Sequence, residues 1–182
     1  MSAKTALLVI DAQQSFLHMP YWSDAEYPAF RGKVTQLIES CVAKSVPVVH
    51  IFHVAKEGAF ALSSGWVKLL DDIPAQHDAL FHKHVHNAFT ETGLGAWLDE
   101  RGIKRLIVSG IRTEQCCETT TRVASDLGYQ VDFVTEATLT FPMIHAASGR
   151  TYSADDIREK TELVLAKRFA AIRTVAECLA AL

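Results

Sequence analysis

SGIRTEQCCETTTRVASDLGY, Ser109–Tyr129, is the stretch that decides the fold. It follows the apolar run Arg105-Leu106-Ile107-Val108 and then takes on an amphipathic helical pattern, so a strand passes through a short turn into a helix. Cys116 falls in the first turn of that helix. Free backbone N–H groups and the positive end of the helix dipole gather there, favouring a thiolate and offering donors to an oxyanion. Consecutive helical side chains diverge by about 100°, so only one of Cys116 and Cys117 faces a given site.

The rest of the chain repeats the strand–helix theme. Apolar strand patterns occur at Thr5–Ile10, Val48–Phe52, Leu80–Val85, Lys104–Ser109 and Gln130–Val134, with an edge strand at Ile172–Val175. Helical patterns occupy Gly32–Lys44, Leu94–Arg101, Gln115–Leu127, Ala154–Lys167 and Ala176–Leu182. Val54–Gln76, punctuated by Gly58, Gly65 and Pro74, reads as a lid or as a passive surface loop. This alternation predicts an α/β fold, a three-layer α/β/α arrangement around a doubly wound, mainly parallel sheet of about six strands. In such sheets ligands lie beyond the carboxyl ends of the strands, where Asp11, Lys83 and the turn after Gly110 fall.

The 182 residues are expected to form a single domain, residues 1–182. A formal net charge of −3 and the lack of a Lys/Arg block argue against a nucleic-acid partner. No apolar run approaches the roughly 20 residues of a membrane span, and Asp11 interrupts the N-terminal one, so a cytoplasmic protein is expected. The cysteines Cys41, Cys116, Cys117 and Cys178 contain no CxxC pair, and Cys41 and Cys178 sit in apolar helical patterns that suit buried thiols.

Taken singly, an Asp ending a strand is a turn former or cap, a strand Lys snorkels, and a Cys on an apolar helix packs in the core. Three motifs in order give them another meaning. Val9-Ile10-Asp11-Ala12-Gln13 with Phe16, Lys83-His84-Val85-His86-Asn87-Ala88-Phe89 and Gly110-Ile111-Arg112-Thr113-Glu114-Gln115-Cys116 together resemble the isochorismatase-like cysteine hydrolases. That superfamily includes nicotinamidases and N-carbamoylsarcosine amidohydrolase. The resemblance covers Thr5 to about Tyr129, and more loosely the remainder. It implies Cys116 as nucleophile, Asp11 as general base and Lys83 as third member of a triad. It also implies an oxyanion hole from the Arg112 and Cys116 backbone N–H groups, a cis peptide at Ile111–Arg112, no cofactor and a homo-oligomer, dimer or tetramer. Cys117 takes a structural role.

The sequence departs from the pattern in places. The Asp-x-His metal motif of nicotinamidases is missing from Val49–Lys56, so a bound metal is not expected. Arg112 stands where many members have a small or apolar residue; it meets an anionic substrate group or pairs with Glu114 or Glu118. His82, His84 and His86 share one face of a strand if Lys83 points to the pocket, which turns them away towards a polar or interfacial surface, or a zinc ion. Gln13, Phe16, Trp22, Phe52, Trp66, Arg112 and Phe141 are candidates for substrate binding, with Tyr21 a further aromatic.

Three functions fit. The leading one is cysteine-dependent hydrolysis of a small amide or carbamoyl C–N bond through a thioester. The second is vinyl ether hydrolysis driven by Asp11, and the third a non-catalytic binding or thiol redox-sensing module.

Overall fold

A computed structural model describes residues 4–182. The chain runs β1 (Lys4–Ile10), α1 (Tyr27–Ala43), β2 (Val48–His53), β3 (Ala79–Lys83), α2 (Leu94–Glu100), β4 (Ile103–Ile111), α3 (Glu118–Asp126) and β5 (Gln130–Leu139). A two-stranded antiparallel ribbon, β6 (Met143–Ile144) with β7 (Thr151–Tyr152), precedes α4 (Ala154–Leu165), β8 (Ala171–Ile172) and α5 (Val175–Ala180). Six strands form one parallel sheet in the order β3-β2-β1-β4-β5-β8.

The apolar runs explain the layers. Every residue of β1 from Ala6 to Ile10 is buried, as a central strand covered on both faces requires. Leu7 and Val9 pack with Val34, Leu37, Ile38 and Cys41 of α1 and with Val175 and Cys178 of α5. Ala6, Leu8 and Ile10 face the opposite way, towards Leu94 and Leu98 of α2 and Ala124 of α3. The expected three-layer α/β/α arrangement is therefore present. From β1 the chain winds outward to β2 and β3, and from β4 it winds the other way. The crevice between β1 and β4 is thus the topological switch point where such sheets bind ligands.

Several boundaries differ from the sequence reading, each for a local reason. Helix α1 starts at Tyr27 because Pro28, in the first turn, needs no amide partner. Strand β5 continues past Val134 to Leu139, because its register against β4 shifts between Val108 and Gly110 and pairing then resumes at Thr138. Strand β3 ends at Lys83 rather than Val85. The expected helix at Gln115 is a single π-helical turn, Thr113–Cys117, leading into α3; the Cys117 amide donates to the Arg112 carbonyl five residues back at 3.2 Å. The edge strand is Ala171–Ile172 and the last helix begins at Val175.

The shift in β4 rests on Gly110. Its φ is 128°, and a Cβ there would collide with the Ile10 carbonyl of β1. Gly110→Ala is therefore expected to lower unfolding free energy by about 2 kcal/mol or more, read from the midpoint of urea denaturation.

Candidate active site

Three strand ends converge at the switch point. Asp11 is the first residue beyond β1 and adopts a left-handed φ of 51°, a conformation Asp tolerates better than most residues. It is 1% exposed. Lys83 closes β3 and is fully buried, and Cys116 lies in the π turn after β4, 7% exposed. The Lys83 ammonium stands 2.8 Å from Asp11 Oδ2 and 3.2 Å from Cys116 Sγ. It also donates to the Val85 carbonyl at 3.2 Å and reaches His53 Nδ1 at 3.1 Å. An ammonium only donates, so Nδ1 accepts and His53 carries its proton on Nε2. The peptide between Ile111 and Arg112 is cis, as the resemblance implies.

Burial sets the protonation states. Burial raises the Asp11 pKa, and Lys83 only partly opposes this. Burial also acts against the Lys83 ammonium, but the Asp11 carboxylate and Cys116 outweigh it and its pKa is raised. Burial, and next the Asp11 charge, push the Cys116 thiol well above its ordinary value despite Lys83. The expectation of a thiolate favoured by the helix start is thereby corrected: a terminal turn offers less than the loss of water takes away. Burial and the neighbouring ammonium hold His53 down to about 4, so its ring is neutral at ordinary pH. The other thiols lie in the interior, Cys117 beside Cys116, with Cys41 and Cys178 pushed up by burial to about 11 and about 12.

A cavity of about 320 Å³ opens onto Asp11 and Cys116. Of the sequence candidates, Phe16 lines it, set edge-on to Phe60 at 5.0 Å. The others do not. Gln13 is fully buried; its amide accepts from the His53 backbone N–H at 2.7 Å and donates to the His53 carbonyl at 3.1 Å, bracing that strand end. Trp22 packs on Phe141 and Tyr27, Phe52 stacks on His82, and Trp66 covers His18. The Arg112 guanidinium lies against the rings of Tyr21 and Phe141, which also touch each other, and it pairs with Glu114 at 3.0 Å with little of either side chain exposed. Arg112 thus pairs internally, neither free for an anion nor at the surface.

The histidine reading also changes. Because β3 ends at Lys83, strand alternation stops there, and His86 returns to line the cavity while His84 Nδ1 approaches the Val54 carbonyl at 3.1 Å. His53, Met19 and Gln115 stand outside the sequence candidates for the cavity, whereas Glu57 and Phe60 belong to the Val54–Gln76 segment that reads as a lid or a surface loop. His53 was discoverable: it ends β2, and the strand-end rule that selected Asp11 selects it too. Among the described residues no group of three or more His, Cys, Asp or Glu side chains is placed to hold a metal.

The sequence matches the Isochorismatase domain family over residues 5–177. It is 33% identical to Nicotinamidase 3 of Arabidopsis thaliana, over 82% of this chain and 84% of that protein. It is 31% identical to streptothricin hydrolase of Streptomyces noursei, over 75% of this chain but 50% of that protein. Among solved structures, an isochorismatase-family hydrolase of Chromobacterium violaceum superposes with a TM-score of 0.89 at 27% identity, covering 99% of this chain and 94% of the other.

Because the raised thiol pKa means little thiolate until the pH is high, alkylation of Cys116 by iodoacetamide should climb with pH through about 10 without a plateau near the ordinary thiol value of about 8.5. Asp11→Asn removes a negative charge beside the sulfur, so the thiol pKa should fall and labelling at about pH 7.5 should quicken severalfold. Intact mass against time measures both.

Proposed function

The chain belongs to the isochorismatase family of hydrolases, and on that premise we propose that it is a cysteine-dependent amidohydrolase acting on a small carboxamide or carbamoyl compound. The observation that carries this reading is the contact chain Asp11–Lys83–Cys116, at 2.8 and 3.2 Å, opening onto a cavity. The family match over residues 5–177, together with one six-stranded sheet, supports a single domain.

In this mechanism the resting site is neutral as a unit: carboxylate, ammonium and thiol. A bound amide carbonyl receives the sulfur as Asp11 takes its proton. This suits a carboxylate whose basicity burial has raised and neither of whose oxygens holds a well-angled hydrogen bond. The oxyanion is assigned to the backbone N–H groups of Arg112 and Cys116, at the head of the π turn. Asp11 then returns the proton to the departing amine, leaving a thioester on Cys116. Water, deprotonated by Asp11, attacks the thioester, and the acid leaves as the thiol is restored. Lys83 keeps Asp11 oriented and offsets charge as the sulfur loses its proton. Nicotinamidase 3, whose name denotes action on the carboxamide nicotinamide, is in keeping with this chemistry.

Purified protein screened against amides and ureides should yield a substrate on which Cys116→Ala loses about 10⁴-fold or more in kcat/KM and Asp11→Asn about 10³-fold. A Cys116-linked acyl adduct should appear by mass spectrometry in rapid-quench samples. Full activity of Cys116→Ala would overturn the proposal and favour ether hydrolysis by Asp11 alone.

A further inference from the structure

The charges around the cavity are unequally matched. Asp11 and Lys83 cancel each other at 2.8 Å, and Arg112 and Glu114 do so at 3.0 Å. His53 is uncharged at ordinary pH. The floor and walls are Phe16, Phe60, Met19 and Tyr21, with His86 exposed at the mouth. Glu57, exposed on the rim of the same cavity, has no ion pair or hydrogen-bond partner for its side chain among the described residues. Its neighbour Lys56 does not line the cavity. The mouth therefore presents one unmatched carboxylate and no unmatched lysine or arginine.

We propose that Glu57 is a specificity-determining residue, and that the pocket takes a compact carboxamide whose far end is cationic or neutral while excluding one that carries carboxylates. This rests on the amidohydrolase reading of the site, and it deepens that reading by assigning the charge of the substrate. A dicarboxylate vinyl ether would approach with no cation to receive it, its charge opposed at the rim by Glu57.

Thiol-labelling rates isolate this charge from turnover. A cationic methanethiosulfonate, bearing trimethylammonium, and an anionic one, bearing sulfonate, each react with the Cys116 thiolate. The sulfur forms a mixed disulfide and methanesulfinate leaves. Cys41, Cys117 and Cys178 are 0% exposed, so the intact mass reports Cys116. Rates are taken at about pH 9, above the ordinary imidazole pKa of about 6.5, and each is divided by the rate for a small free thiol. The normalised cation-to-anion ratio should exceed unity by about three- to tenfold and shrink towards unity in about 1 M salt, where the screening length falls to about 3 Å. Glu57→Gln should lower it and Glu57→Lys should invert it, while Glu39→Gln, the same charge change on α1, should leave it alone. A wild-type ratio equal to that of the free thiol, or one unmoved by both Glu57 substitutions, would overturn the proposal. Labelling needs no hydrolysis, so a protein that cleaves no amide yet keeps the Glu57-dependent ratio counts against the amidohydrolase reading and not against the charge selection.

Discussion

One buried cation organises this site. Withdrawing an ammonium and a carboxylate from water costs several kcal/mol per ion, and the loss is offset only when partners replace the water. Lys83 has them: the Asp11 carboxylate, the His53 ring, the Val85 carbonyl and the Cys116 sulfur all lie within 3.2 Å of its nitrogen. Each contact fixes something further. The Val85 carbonyl turns back towards Lys83, so β3 stops there and His86 swings to the cavity. The His53 ring is held neutral with a known tautomer, while Gln13 grips the same residue by its backbone.

Much of this arrangement was legible in the sequence because strand ends are. Asp11, Lys83 and Cys116 each follow or close an apolar run, and a doubly wound sheet brings such ends to one edge. The aromatic residues were less readable, since Phe16 at the cavity and Phe52 in the interior look alike in sequence. What separates them is the direction in which each side chain leaves the backbone. Phe16 belongs to a short 3₁₀ turn, and Phe52 to a strand face that packs against His82. His86 differs from its sequence reading for a related reason: strand alternation does not extend to it, three residues beyond the point where β3 stops. For Arg112 the pairing with Glu114, two residues along the same turn, was legible, but its burial was not, because the Tyr21 and Phe141 rings that cover it come from distant parts of the chain and meet it only after folding.

The electrostatics carry a second lesson. A helix start beside a thiol suggests thiolate, yet here burial and the adjacent Asp11 carboxylate both raise the thiol pKa and favour the protonated sulfur. The proposed reactive group is thus held in its unreactive form, and the proposed attack coincides with proton transfer to Asp11 instead of drawing on a standing pool of thiolate. Such a site discriminates by geometry, since only a correctly seated carbonyl couples the two movements.

The segment between β2 and β3 is held by backbone and side chain together: Gln13 bridges Leu69, the Ser15 amide reaches Trp66 and the Val54 amide reaches Lys83, while Gln14 donates to Asp71, Arg31 pairs with Asp72, and Leu70 and Ile73 enter the core. Phe60 is tied to this frame, packing on His53 at the end of β2 and on Phe16, whereas Glu57 stands exposed at the rim and can be exchanged without touching the strand ends beneath. The architecture thus parts the strand ends, where the proposed reaction is housed, from an exposed rim, so that preference for a substrate can be retuned at the overhang while the furnace beneath is left untouched.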